Sequence, residues 1–282
     1  MSEVHIRESV STTSPTPRVK PAPKKNKIPG EFTYIPSDDG TDENLLIMLH
    51  GLGDTHIPFS KLGKTLKLPQ TAVLALRAPE QVPFLYEEAY QWYTSFDELG
   101  ELIENPNPTP AFSYLDKIIT HLTEDCQWPL SRVHLFGFAQ GGSVAAEYAI
   151  HRWKKCLEQK AKTKDQTDSA ERTEPFLSSF ASIVSISGPL LSYPILSTPL
   201  QTPTLIIHRS SPSELAISSA GLTAFKKAFA RVKDVKIGPR GGMPASKEEW
   251  ELIMRFWSEV LQRRQVEGLY EVMSGISVPP SS

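Results

Sequence analysis

Residues 133–153 read VHLFGFAQGGSVAAEYAIHRW, and the fold is decided in this stretch. VHLFGF is nearly continuous in apolar residues, as a strand buried on both faces requires. It runs without a linker into small residues and then into a helical segment. Gly137 and Gly141 stand where a Gly-x-Ser-x-Gly nucleophile elbow has its glycines, the strained strand-to-helix turn that exposes a serine hydroxyl. The central residue here is Ala139. Its methyl group has neither a lone pair nor a removable proton, so no base can make it attack a carbonyl.

Outward from this unit the pattern repeats. Apolar runs LLIMLHG (45–51), AVLALRA (72–78), ASIVSISG (181–188) and PTLIIH (203–208) alternate with longer amphipathic segments. Such alternation predicts βα units and a mostly parallel central sheet flanked by helices, an α/β class. EFTYI (31–35) is expected as an edge strand, and helices over 58–67, 111–126, 140–153, 219–231 and 246–263. In the last, Trp250, Ile253, Met254, Trp257, Val260 and Leu261 share a face, and Ser246 with Glu249 forms a capping-box start.

One domain over 31–263 is expected, between a basic tail (1–30) and a flexible C-terminal tail (264–282). The first tail has six basic side chains against Glu3 and Glu8 and no helical apolar period; it reads as disordered. Residues 154–175 carry eleven charged side chains in twenty-two positions, which predicts a helical extension followed by an exposed insertion. NPNPTP (105–110) marks a surface loop.

A formal charge of −2 supplies no global field for nucleic acid or anionic lipid. No apolar run approaches the roughly 20 residues of a membrane span, and the N-terminus lacks the apolar core of a secretory signal. Two cysteines, Cys126 and Cys156, do not make a disulfide framework or a zinc spacing, which points to a reducing, cytoplasmic setting. No metal or organic cofactor is implied.

LLIMLHGLGD, LRAPEQVP, QWYTSFD, LFGFAQGGSVAAEYA, IVSISGPL, TPTLIIH and GGMPASKEEWELIMRFW occur in the order of motifs of the phospholipase/carboxylesterase branch of α/β-hydrolases, which includes the acyl-protein thioesterases. The chain resembles that family over residues 31–263. The resemblance implies an α/β-hydrolase fold, with the backbone N–H groups of Leu52 and Gln140 as the oxyanion hole. It places Trp92 and Tyr93 near the acyl-binding mouth, where pocket wall and packing are equally compatible roles.

The family reads GFSQGG where this chain reads GFAQGG, so Ala139 takes the nucleophile's place. Gly241, in PRGGMP (239–244), takes the place of the general-base histidine, and no histidine follows His208. Counting from His208 to the triad acid gives Pro212, with Glu214 the nearest carboxylate. The resemblance therefore implies a degenerate triad at Ala139, Pro212 and Gly241. Ser143, Ser187, His50 and His56 are the groups from which a non-standard site would have to be built. Two functions follow as expectations: a pseudo-hydrolase that binds an acyl-like small molecule or a protein partner, or an ester or acyl-thioester hydrolase using those non-standard residues.

Overall fold

The computed structural model describes residues 6–7, 19–83, 88–164, 179–264 and 271–272. Seven strands form one sheet: β1 (Phe32–Ile35), β2 (Asn44–Leu49), β3 (Thr71–Leu76), β4 (Val133–Phe138), β5 (Ser182–Ile186), β6 (Thr204–Arg209) and β7 (Val232–Ile237). They lie in the order β7-β6-β5-β4-β2-β3-β1. Every neighbouring pair is parallel except β1 with β3, so the antiparallel strand is at an edge, where EFTYI was expected.

Strands β2, β3, β5 and β6 are buried at every residue because helices cover both sheet faces. The period-2 pleat divides the core. Leu45, Ile47, Leu135, Ile183 and Ile206 meet α2 (Thr109–Glu124), α3 (Gln140–Lys164) and α4 (Ser219–Ala228) on one side. Leu46, Met48, Phe136, Val184 and Ile207 meet α1 (His56–Leu66) and α5 (Lys247–Val260) on the other. Ser246 caps α5 by accepting from the Glu249 N–H at 3.3 Å, while the Glu249 carboxylate reaches back to the Ala245 N–H at 2.9 Å.

Three expectations change. β7 follows directly on the helix expected over 219–231, in a stretch where no element was foreseen; VKDVKI is half polar because it closes the sheet with one neighbour and has exposed positions. On α5, Phe256 joins Ile253 and Trp257 in the core while Met254 turns outward at 37 % exposure. The helical extension expected after residue 153 is present, α3 running on to Lys164, and the rest of the expected insertion, 165–175, lies outside the described residues. The basic tail gives way to packed chain before residue 30. Ile28 is buried, the Lys20 N–H donates to Asp42 and the Lys24 N–H donates to His121 Nε2. Residues 1–5 and 8–18 of that tail, and most of the C-terminal tail, lie outside the described residues.

Candidate active site

β4 delivers Ala139 at φ +48°, the left-handed conformation a nucleophile elbow imposes on its central residue. For an alanine this conformation costs about 1–2 kcal/mol. Its surroundings hold it there: the Ala139 N–H donates to Ile186 O at 2.8 Å, and Ala139 O accepts from the Ser143 N–H at 3.0 Å, starting α3. The glycines are required by close approach. A Cβ on Gly137 would collide with the Gly141 carbonyl, and one on Gly141 with the Leu49 and His50 carbonyls. The first turn of α3 is thereby pressed onto the end of β2.

The His50-Gly51 turn closes on the same point. A Cβ on Gly51 would lie 2.9 Å from the Phe138 ring and 3.7 Å from the Ala139 methyl. Among the described residues, neither the Leu52 nor the Gln140 N–H is used in a backbone hydrogen bond. Gln140 thus opens α3, at the positive end of a long helix, and the turn that carries Leu52 closes on the elbow through Gly51.

The Gln140 side chain, which the motif alone does not flag, organises the next loop. Its Oε1 accepts from the Trp92 N–H at 3.0 Å; its Nε2 donates to Tyr93 O at 3.0 Å and to Ser95 Oγ at 2.7 Å. Trp92 is fully buried, and its indole N–H donates to His50 O at 2.8 Å, so it packs beneath the turn. Tyr93 is also buried, which pushes its hydroxyl up to about 12. From Ser95 a hairpin turns back through Asp97 N–H to Glu101 O and Ile103 N–H to Ser95 O. Its apolar side chains face water: Leu99 is 85 % and Leu102 71 % exposed, and Phe96 is exposed with them; Leu52, in the turn after β2, is exposed as well.

The groups considered as substitutes are not assembled into a proton relay. His50 has both ring nitrogens occupied: Nδ1 lies 2.7 Å from Gly51 O, and Nε2 accepts from the Ala78 N–H at 2.9 Å. These partners assign the proton to Nδ1. Burial pulls its pKa down to about 4, against the smaller opposing effects of the Gly51 carbonyl and Asp54. His56 begins α1 with its pKa lowered by burial and then by Arg77, and its Nδ1 has no partner among the described residues. Among the described residues the buried Ser187 hydroxyl has no hydrogen-bond partner, the Ser143 hydroxyl has only the Tyr93 hydroxyl near it, and Ser187 has φ +55° at the end of β5.

Pro212, Glu214 and Gly241 are all exposed, on loops after β6 and β7. Between these loops stands Arg209, which the sequence reading missed. It is 1 % exposed, on the α5 side of β6, and grips the 238–243 loop through the carbonyls of Gly238, Gly242 and Met243 and, on α5, the Glu249 carboxylate. An arginine at a strand end is ordinarily exposed, so only the matching glutamate at the start of α5 hints at the pair.

A parallel sheet with helices on both faces and a left-handed elbow after a central strand define an α/β-hydrolase architecture. Residues 31–157 match the phospholipase/carboxylesterase family. An uncharacterized hydrolase of Mycosarcoma maydis is 36 % identical over 245 residues, covering 85 % of this chain and 84 % of that protein. The chain belongs to the phospholipase/carboxylesterase family of α/β-hydrolases. Its fold is similar to that of Zea mays acyl-protein thioesterase 2, with a TM-score of 0.59 at 20 % identity over 83 % of this chain and 100 % of that one. It is also similar to esterase PE8, with a TM-score of 0.63 at 18 % identity over 83 % and 100 %. Among the described residues no helix is long and apolar enough to cross a membrane.

Proposed function

We propose that this protein is a catalytically degenerate member of its family, which binds an acyl-bearing small molecule through the oxyanion donors without cleaving it. The carrying observation is Ala139, held at φ +48° where the family presents its serine. The strain and the donors of the elbow remain, and the nucleophile is absent. Phe96, Leu99 and Leu102, on the hairpin that the Gln140 side chain anchors at Ser95, and Leu52, in the turn after β2, supply exposed apolar side chains suited to an acyl chain. Trp92 serves this reading from below, by holding the His50 carbonyl, and Tyr93 by anchoring Gln140. The free thiols of Cys126 and Cys156 accord with a cytoplasmic location.

Loss of a triad serine or histidine costs up to about 10⁶ in turnover in serine proteases, while an intact oxyanion hole and binding site retain roughly 10³–10⁴ over water. Purified protein is therefore expected to hydrolyse short p-nitrophenyl esters and a palmitoyl thioester at most feebly, beside a variant carrying Ala139→Ser and Gly241→His as reference. It should still bind decanoate, read by displacement of a fluorescent fatty acid. Turnover well above buffer that persists through stringent purification would overturn this reading. It would favour the second one, an ester or thioester hydrolase using non-standard residues, for which the left-handed Ser187 with its unpaired hydroxyl is the specific observation.

A further inference from the structure

The hairpin beyond Ser95 projects into water: every residue from Phe96 to Leu102 is exposed. Its turn is held from within. The Gly100 N–H donates to Asp97 O at 3.1 Å, and Asp97 Oδ1 accepts from the Leu99 and Glu101 N–H groups, each at 2.9 Å. Its base is fixed by the bond from Gln140 Nε2 to Ser95 Oγ. Phe96 and Leu102 stand directly opposite each other, flanked by the bonds from Asp97 N–H to Glu101 O and from Ile103 N–H to Ser95 O. That pattern defines a non-hydrogen-bonded pair, so both side chains project from one face and those of the Asp97–Glu101 pair from the other. The N–H and C=O of Phe96 point outward along one edge of the hairpin and those of Leu102 along the other, and none of these four groups has a partner among the described residues. The hairpin thus offers two short, open and pre-formed strand edges.

Charge decides what such an edge takes up. Residues 78–115 contain seven carboxylates and no lysine, arginine or histidine, in a chain whose formal charge is −2. Asp97, Glu98, Glu101 and Glu104 are on the hairpin, and among the described residues none of them is in an ion pair. A second copy of the hairpin would set carboxylates against carboxylates, and an anionic lipid surface is repelled for the same reason. An acyl chain matches the apolar side chains and leaves the carboxylates unmatched. An extended segment added as a third strand shares the alternation of the hairpin: every second residue lies on the face of Phe96 and Leu102, and those between lie on the face of Asp97 and Glu101. Apolar side chains suit the first set and cations the second, as cross-strand pairs.

We propose that the 95–103 hairpin is a docking edge for a polypeptide partner, taken up as an added β-strand in which apolar residues alternate with lysine or arginine. This assignment holds whether the elbow binds an acyl group, cleaves one or does neither. The probe is the capped heptapeptide Lys-Leu-Lys-Leu-Lys-Leu-Lys, titrated into the full chain without fatty acid. Its controls are the block order Lys-Lys-Leu-Leu-Leu-Lys-Lys and the acidic Glu-Leu-Glu-Leu-Glu-Leu-Glu. The alternating basic peptide is expected to bind at least about tenfold more tightly than either control, to lose affinity as salt rises and to slow amide exchange at Phe96 or Leu102. Glu98→Lys combined with Glu101→Lys, and separately Leu102→Ser, should each weaken it at least about tenfold. All three positions are exposed, so these variants keep the fold. Equal binding of the block peptide, unchanged affinity in the charge-reversed variant, or no binding at about 1 mM would overturn the proposal. So would self-association, or binding to phosphatidylcholine vesicles, that Leu102→Ser abolishes, since the hairpin would then belong to a second copy or to a membrane.

Discussion

Arg209 Nη1 stands 2.9 Å from Glu249 Oε1, and this ion pair pins the loop after β7 to the start of α5. The other contacts use the remaining donors of the guanidinium: Nε and Nη2 to Gly242 O, Nη2 to Met243 O at 2.8 Å and Nη1 to Gly238 O. Every N–H of a nearly fully buried charge is thus spent, the condition under which such a charge is tolerated. The Ala245 N–H and the Arg209 charge together hold the Glu249 carboxyl below its usual range, outweighing the opposite effect of its partial burial.

Arg209→Met should therefore cost about 3–5 kcal/mol, since it leaves carbonyls and a carboxylate unpaired. Arg209→Lys should recover little of this, because one ammonium cannot span three carbonyls and a carboxylate in a planar array. Urea denaturation measures the loss, and limited proteolysis at 238–244 should speed up in both variants. A loss below about 1 kcal/mol would mean that the loop is held by other contacts.

Ala139→Gly tests the elbow itself. In a helix interior that exchange costs about 1 kcal/mol, but at φ +48° the glycine escapes the left-handed penalty. We expect a melting temperature equal to or above that of the unchanged protein, with a stability gain up to about 1 kcal/mol. A drop of the size seen for an ordinary Ala→Gly change would show that the alanine is not strained in solution.

Much of this architecture is legible because it is written in local pattern. Buried parallel strands need continuous apolar runs, and LLIML, AVLAL and TLIIH have no other comfortable place. The elbow is legible because only glycine fits at Gly137 and Gly141. β7 escaped notice because an edge strand with exposed positions keeps charges, and Val232, Val235 and Ile237 are too sparse to outweigh Lys233, Asp234 and Lys236. Arg209 escaped for a different reason: its partners are 29 to 40 positions away, and no window on the sequence brings them together. The side-chain role of Gln140 was hidden likewise, since its contacts lie 45 to 48 residues upstream.

Gln140→Ala removes three hydrogen bonds from one buried amide, to the Trp92 N–H, Tyr93 O and Ser95 Oγ. Leaving a buried donor and acceptor unsatisfied should cost about 2–3 kcal/mol in total. The effect should be concentrated in the 92–103 hairpin. Hydrogen exchange is expected to quicken at Trp92 and Ile103 while Leu135 and Ile206, deep in the sheet, remain protected relative to global stability. Uniform loss of protection would contradict a role confined to this loop.

Acid should unfold this protein through two buried histidines. Burial lowers His50 to about 4, and lowers His134, at 2.8 Å from Ser182 Oγ, to about 3, both from an ordinary value of 6.5. Above pH 6.5 both are neutral folded and unfolded, and their contribution is constant. Between about 6.5 and 4 the unfolded chain binds protons that the folded chain refuses, so stability falls as pH falls. By pH 5 each histidine should account for about 2 kcal/mol of this loss. Urea midpoints at pH 7.5 and pH 5 measure it, and His50→Gln should make the pH dependence shallower while lowering stability at pH 7.5. Equal midpoints at the two pH values in the unchanged protein would show that neither imidazole is held neutral by the fold.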